Sequence, residues 1–221
     1  VENYMSITDQ QTDPKQKKAR EASLNAAEKI VDQLLWKLDE PLIFGRAVSM
    51  KAHLAQMRGN VEKASSIIDD YRQSLEEIHE QLVAADPDGK LGYLRASPLP
   101  ECLFLQAKIL WDEAQAEYKK PKRDDEKVKS LMFGPRGKNG KRQVKKGAFA
   151  MAQTVFLDYD SSSWAPQAGD LAQAVSEFAK AKYNANIKCK ITPEQVAKAR
   201  ARQFADGNEK FLAQDYEAAI A

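Results

Sequence analysis

The feature that most constrains this chain is the near absence of the alternation of apolar and polar residues that a half-buried β-strand needs. Apolar side chains recur instead at intervals of three and four residues, which is the spacing of one face of an α-helix. Only ten Gly and nine Pro occur in 221 residues, and most of them fall between the periodic segments. Residues 186–191 are the one short strand candidate, and a loop is the better interpretation. The sequence therefore predicts an all-α fold.

Start and stop signals divide the chain into predicted helices within a single domain over residues 1–221. A capping residue followed by Pro marks a helix start, as at Ser97-Pro98 and Thr192-Pro193. Because residue 1 is Val rather than Met, and a last short helix would begin near Asp215, we expect the chain to be part of a longer protein. The predicted helices cover residues 12–38, 42–58, 61–85, 97–119, 144–159, 161–183 and the segment from 192 onward.

The composition excludes several classes of protein. The formal net charge is +2 and the mean hydropathy is −0.59, and no apolar run reaches the length of a membrane-spanning helix. Two Cys and two His are too few for a disulfide framework or a repeated zinc-ligand pattern. Cys102 and Cys189 either pair, in an oxidising compartment, or are two buried thiols. We expect His53 and His79 to be polar surface residues, and Trp36, Trp111 and Trp164 to be core or inter-helix anchors.

No sequence motif indicates catalysis. The chain has no nucleophile elbow, no triad signature, no cofactor-binding loop and no phosphate-binding loop. We therefore expect a protein that is not an enzyme and that uses no cofactor and no metal.

Small residues recur at a spacing that close helix pairs require. Ala52 lies twelve residues before Ala64, with a helix break at Gly59 between them, and Gly207 lies twelve residues before Ala219. Residues 47–71 and 207–220 resemble the tetratricopeptide repeat, which pairs a Gly in its first helix with an Ala in its second. Residues 147–168 are similar to the tetratricopeptide units of bacterial envelope proteins, although Asp160 replaces the closing Pro.

The resemblance implies an α-solenoid of antiparallel helix pairs that binds a protein or peptide in a concave groove, with a periplasmic or cell-envelope location favoured over the cytoplasm. The alternative fold is an irregular helical bundle. By the packing of the family, the helix faces beside Ala52 and Gly207 would line the groove, and the alternative is that they are ordinary exposed faces. The candidate groove residues are Arg46, Ser49, His53, Gln56, Phe204, Asn208 and Phe211.

Residues 119–146 form a basic insertion. They hold twelve Lys or Arg against three acids, a net charge of +9, and since the whole chain carries +2, the remainder carries −7. One interpretation is an anion-binding finger for nucleic acid, acidic lipid or an acidic protein, with Arg136, Lys138, Lys141 and Arg142 as contact residues. Only Phe133 within the insertion could stack on a base. The favoured interpretation is a solvated insertion between two paired helices, which predicts that a Gly/Ser linker in place of residues 122–141 leaves the melting temperature nearly unchanged.

Overall fold

The computed structural model of the protein describes residues 17–37, 40–137, 140–185 and 187–212, without the side chains of residues 206 and 209–212. The only β-structure in these ranges is an isolated bridge between Arg136 and Arg142, so the predicted all-α class is confirmed. A 3₁₀ turn covers Val144–Lys146. The nine α-helices of the described residues are α1 (Lys17–Leu34), α2 (Pro41–Met57), α3 (Val61–Asp70), α4 (Arg72–Ala85), α5 (Pro98–Tyr118), α6 (Asp125–Phe133), α7 (Ala148–Asp158), α8 (Ala165–Tyr183) and α9 (Pro193–Leu212).

The chain divides into an N-terminal and a C-terminal compact unit, with the boundary between Gln81 and Leu82. In the N-terminal unit, α1 packs on α2 through Leu24, Ala27 and Val31, which are buried. Ala19 and Ala22, which precede these residues at helical spacing, are both exposed. Leu24 and Val31 are seven residues apart, so they share a face, and burying them removes more apolar area from water than burying alanines would.

Polar contacts reinforce the packing of α1 on α2. The Arg58 guanidinium, just after α2, donates from Nη1 to Glu28 Oε2 at 2.7 Å and from Nη2 to Asn25 Oδ1 at 2.7 Å. Arg20 Nη2 donates to the Met57 carbonyl oxygen at 2.8 Å. Trp36, which follows α1, is 85% exposed, so the prediction that it anchors the core is wrong.

The small residues that were predicted to pair α2 with α3 are buried, as expected for a close pair of helices. Ala52 and Ala64 are both completely buried, and the two helices pack against each other. Asn60 caps α3 by accepting a hydrogen bond from the Lys63 backbone N–H at 3.0 Å.

The single helix predicted over residues 61–85 is broken at Tyr71, so that prediction is wrong. Tyr71 has φ −98° and ψ 3°, outside the α-helical region, and its N–H is the last that bonds into α3. Its ring packs edge to face on Phe44 of α2 at 5.6 Å between centroids. This contact fixes Tyr71 at the junction between α3 and α4.

Two facing stripes of large side chains hold α5 and α8 together in the C-terminal unit. Phe104 stacks on Trp164, just before α8, with centroids 5.3 Å apart, and Trp111 meets Phe178 edge to face at 5.2 Å. Near the other end of α5, Tyr118 contacts Phe178 at 4.9 Å. The stripe of α5 repeats every seven residues, two helical turns, and the contacts proceed in the same order along both helices. α5 and α8 therefore run parallel.

α7 packs on both α5 and α8, and α9 packs on α8. At Gly169 of α8, a Cβ atom would lie 2.7 Å from a ring carbon of Phe156 in α7 and 2.7 Å from a methyl carbon of Val196 in α9. Any larger residue at this position would therefore force these side chains to move.

The interpretation of residues 119–146 as a solvated insertion is wrong for its first half. α6 packs on α5 and α7, its Val128 and Met132 are completely buried, and Phe133 meets Phe149 edge to face at 6.3 Å. After α6 the chain turns back through a short hairpin, closed by a 2.8 Å hydrogen bond from Gln143 N to Pro135 O. The helix predicted from residue 144 begins at Ala148, after the 3₁₀ turn.

Candidate functional site

A groove in the C-terminal unit is lined by residues of α7 and α9 and by Ala165, the first residue of α8. Its volume is about 640 Å³. Phe156, Ala165 and Ala199 are buried and give it an apolar floor, while Leu157 is 43% exposed at its edge. The remaining lining residues are Asp160, Gln195, Lys198, Ala201 and Arg202.

The edge of this groove is positively charged. Arg202 Nη1 lies 3.5 Å from Asp160 Oδ2 at the surface, so these two charges offset each other. Lys198 is exposed and forms no ion pair with any residue that the structure describes. The cationic edge beside an apolar floor suits a ligand that has an apolar side chain and a nearby carboxylate.

One of the residues predicted to bind a partner lies on α9 but does not line this groove. Phe204 is three residues after Ala201, on the side of Ala201 away from the other lining residues of α9, and its ring is 78% exposed. Asn208 is also exposed. The side chain of Phe211 lies outside the described part of the structure. Leu157 and Lys198 were not predicted from the sequence. The only indication for Leu157 is that this apolar residue directly precedes residues 158–160, where the helix ends.

The other predicted groove residues lie on α2, in the N-terminal unit. Arg46 is exposed, and His53 and Gln56 are partly buried. Ser49 is only 4% exposed, and its Oγ donates to the Arg46 carbonyl oxygen at 3.0 Å. Ser49 therefore does not line a partner-binding surface, because α2 is packed against both α1 and α3.

Arg136, Lys141 and Arg142, three of the four predicted anion-binding residues, lie on the hairpin, where Glu126 of α6 neutralises part of the charge. Arg136 Nε lies 3.4 Å and Arg142 Nη2 lies 3.1 Å from Glu126 Oε2. Burial disfavours the ionised carboxylate, but the hydrogen bond from Arg136 and the charge of Arg142 outweigh it and lower the pKa of Glu126. Lys141 is exposed, and Lys138 lies outside the described residues. Two of the four predicted cations are thus already paired.

Both cysteines are free thiols, with Cys102 buried and Cys189 partly buried. Burial lowers the pKa of His79. Within the described ranges, the His, Cys, Asp and Glu side chains form no group of three that could hold a metal ion. None of the helices described is both long enough and apolar enough to span a lipid bilayer.

Comparisons of the chain with protein-family models, curated proteins and solved structures found no match. Inference about function therefore depends on the side chains and their arrangement.

Proposed function

We propose that this protein is a helical scaffold that binds a segment of a partner protein in the groove between α7 and α9. The segment would place one or two apolar side chains on the floor formed by Phe156, Ala165 and Ala199, and a carboxylate near Lys198.

The observation that carries the proposal is the exposed apolar surface beside a concave site. Isolated exposed apolar residues are common on proteins and need no explanation. Here, however, Leu157 is exposed at the edge of a groove whose floor is itself apolar. Rigid aromatic and aliphatic anchors next to a pocket are the usual centre of a protein-binding site.

The order of helix contacts supports a helical repeat. If α6 and the hairpin are set aside, α5 with α7 and α8 with α9 are two successive packed pairs, and α7 also packs on α8. Stacking of each pair on the next is the arrangement of an α-solenoid. Together with the resemblance to tetratricopeptide units, this is our basis for proposing a tetratricopeptide-like scaffold in a bacterial cell-envelope assembly.

A random peptide library tests the groove without knowledge of the natural partner. We expect selection on the full chain to enrich short peptides that combine apolar residues with Asp or Glu. Leu157→Glu should weaken binding of the enriched peptides at least tenfold, because it places a carboxylate at the apolar edge.

The matched control is Val83→Glu, which introduces the same charge at an apolar side chain of similar exposure, 40%, that does not line the groove. This variant should bind the peptides as the wild type does. If Leu157→Glu also leaves binding unchanged, the groove is not the site.

A further inference from the structure

A second surface forms at the C-terminal ends of α5 and α8, where cations lie over tyrosine rings. The guanidinium of Arg123 lies 4.4 Å from the centroid of the Tyr118 ring, and Lys182 Nζ lies 6.0 Å from it. Lys129 Nζ of α6 lies 5.1 Å from the centroid of Tyr183. The two tyrosine rings meet edge to face at 6.2 Å. We call these residues, with Lys119 and Lys122, the α5–α8 end surface.

Asp125 at the start of α6 fixes this arrangement. Its Oδ1 accepts a hydrogen bond from Arg123 Nε at 2.9 Å and another from the Tyr183 hydroxyl at 2.9 Å. Burial, together with this bond to Asp125, raises the pKa of Tyr183 to about 12, so the hydroxyl stays a donor at neutral pH. The guanidinium carbon lies over the Tyr118 ring, while Nε of the same group bonds Asp125. Arg123 is therefore held in place while its side chain is still 43% exposed.

The positive charge of this surface exceeds its negative charge. Lys119, Lys122 and Lys182 are exposed and form no ion pair with the described residues. Asp125 is paired with Arg123, and Glu117 is almost completely buried, where it accepts hydrogen bonds from Lys120 Nζ at 2.7 Å and from the Asp124 N–H at 3.2 Å.

We propose that the α5–α8 end surface binds single-stranded nucleic acid. Lys119, Lys122 and Lys182 would contact successive phosphates, and the outer plane of the Arg123 guanidinium would stack on a base. This site is separate from the groove between α7 and α9, and it consists of other residues than the hairpin cations.

The apolar content of the surface favours a nucleic acid over a membrane. A protein that lies on an anionic membrane normally inserts apolar side chains beside its cations. The exposed large apolar side chains of the described residues do not include any member of this surface. A pre-stacked guanidinium, by contrast, is a feature that a nucleic acid base can use and a lipid headgroup cannot.

Fluorescence anisotropy of a labelled 20-nucleotide oligo(dT) with the full chain tests the proposal. With three phosphates neutralised, the slope of log Kobs against log salt concentration should be about −2 for a single strand, so that affinity falls about 20-fold between 50 and 200 mM salt. The variant Lys119→Gln/Lys122→Gln/Lys182→Gln should remove most of this salt dependence. Arg123→Lys keeps the charge but loses the planar stack, so it should weaken binding to oligo(dT) more than binding to heparin.

The matched control is Arg136→Gln/Lys141→Gln/Lys145→Gln, which removes three charges from the hairpin and its base. We expect it to keep the wild-type salt slope. If both triple variants lose the same affinity for oligo(dT), the attraction is unspecific. If only the control variant loses affinity, the site lies on the hairpin. Either result overturns the proposal, as does absence of binding at 50 mM salt. Binding to phosphatidylserine vesicles that exceeds binding to oligo(dT) would assign the surface to a membrane instead.

Discussion

Met132 should be the residue that shows most clearly that α6 is part of the core. Its side chain is completely buried among α5, α6 and α7, in a cluster that includes Val128, Ala148 and Phe149. Met132→Ala removes most of that side chain and leaves a cavity, because the surrounding helices relax only partly. The expected loss is about 2–5 kcal/mol in the free energy of unfolding of the C-terminal unit.

Replacement of residues 122–141 by a Gly/Ser linker should lower the free energy of unfolding more than Met132→Ala does. It removes Met132 and Val128 together, and each buried methyl or methylene group adds about 0.8 kcal/mol. Since domains are stable by only about 5–15 kcal/mol, the linker variant should melt far below the wild type or fail to fold cooperatively. This outcome reverses the expectation from the sequence that the segment is dispensable.

Urea denaturation followed by tryptophan fluorescence measures the effect in the C-terminal unit. Trp111 is buried there and Trp164 stacks on Phe104, whereas Trp36 is already exposed before unfolding and should report little change. The control is Lys127→Arg on the same helix, which keeps the positive charge beside Glu113 and Glu117 and should change the stability by less than about 1 kcal/mol. If Met132→Ala destabilises no more than this control, α6 does not pack as described and the reasoning fails.

Three further predictions concern single side chains. Gly169→Ala should destabilise the protein by about 1–3 kcal/mol in urea, because the added methyl overlaps Phe156; wild-type stability would mean that α7 and α8 are farther apart. Asp86→Ala should cost about 1–3 kcal/mol, since the buried carboxylate accepts hydrogen bonds from two backbone N–H groups of the following loop, and unchanged urea stability would contradict these bonds. Tyr183 should ionise near pH 12 in an absorbance titration, as a component missing in Tyr183→Phe. Because its folded pKa is above the unfolded value, its contribution to stability should be complete below pH 10 and lost as pH rises through 12, and ionisation near pH 10 would contradict the bond to Asp125.

The periodicity and the turn residues were sufficient to predict the fold class and most of the helices. Local sequence patterns are sufficient to predict the helix starts at Pro98 and Pro193. They are also sufficient to predict the buried pair Ala52 and Ala64. The docking of α6 also had a signal, since Val128 and Met132 are four residues apart on one face. The twelve cations of residues 119–146 led to the prediction of a solvated insertion. Charge on one face of a helix, however, does not prevent burial of the other face.

The candidate sites could not be predicted in the same way. The groove depends on how closely α7 approaches α9, which is set by Gly169 on a third helix. The α5–α8 end surface brings together Tyr118, Arg123 and Tyr183 from three segments. The aromatic residues that could accompany the cations of residues 119–146, Tyr118 and Tyr183, lie outside that segment of the sequence. Only the tertiary packing shows that they lie close to Arg123.

The most direct test of the proposed partner-binding groove is a charge exchange across it. An acidic peptide selected on the wild type should bind Lys198→Glu more weakly, and the same peptide with its Asp or Glu replaced by Lys should regain affinity for that variant. The double-mutant cycle should give a coupling energy of about 0.5–3 kcal/mol, as for groups in contact. A coupling energy of zero, with each change acting independently, would contradict binding of the acidic residue at Lys198 and with it the proposed groove.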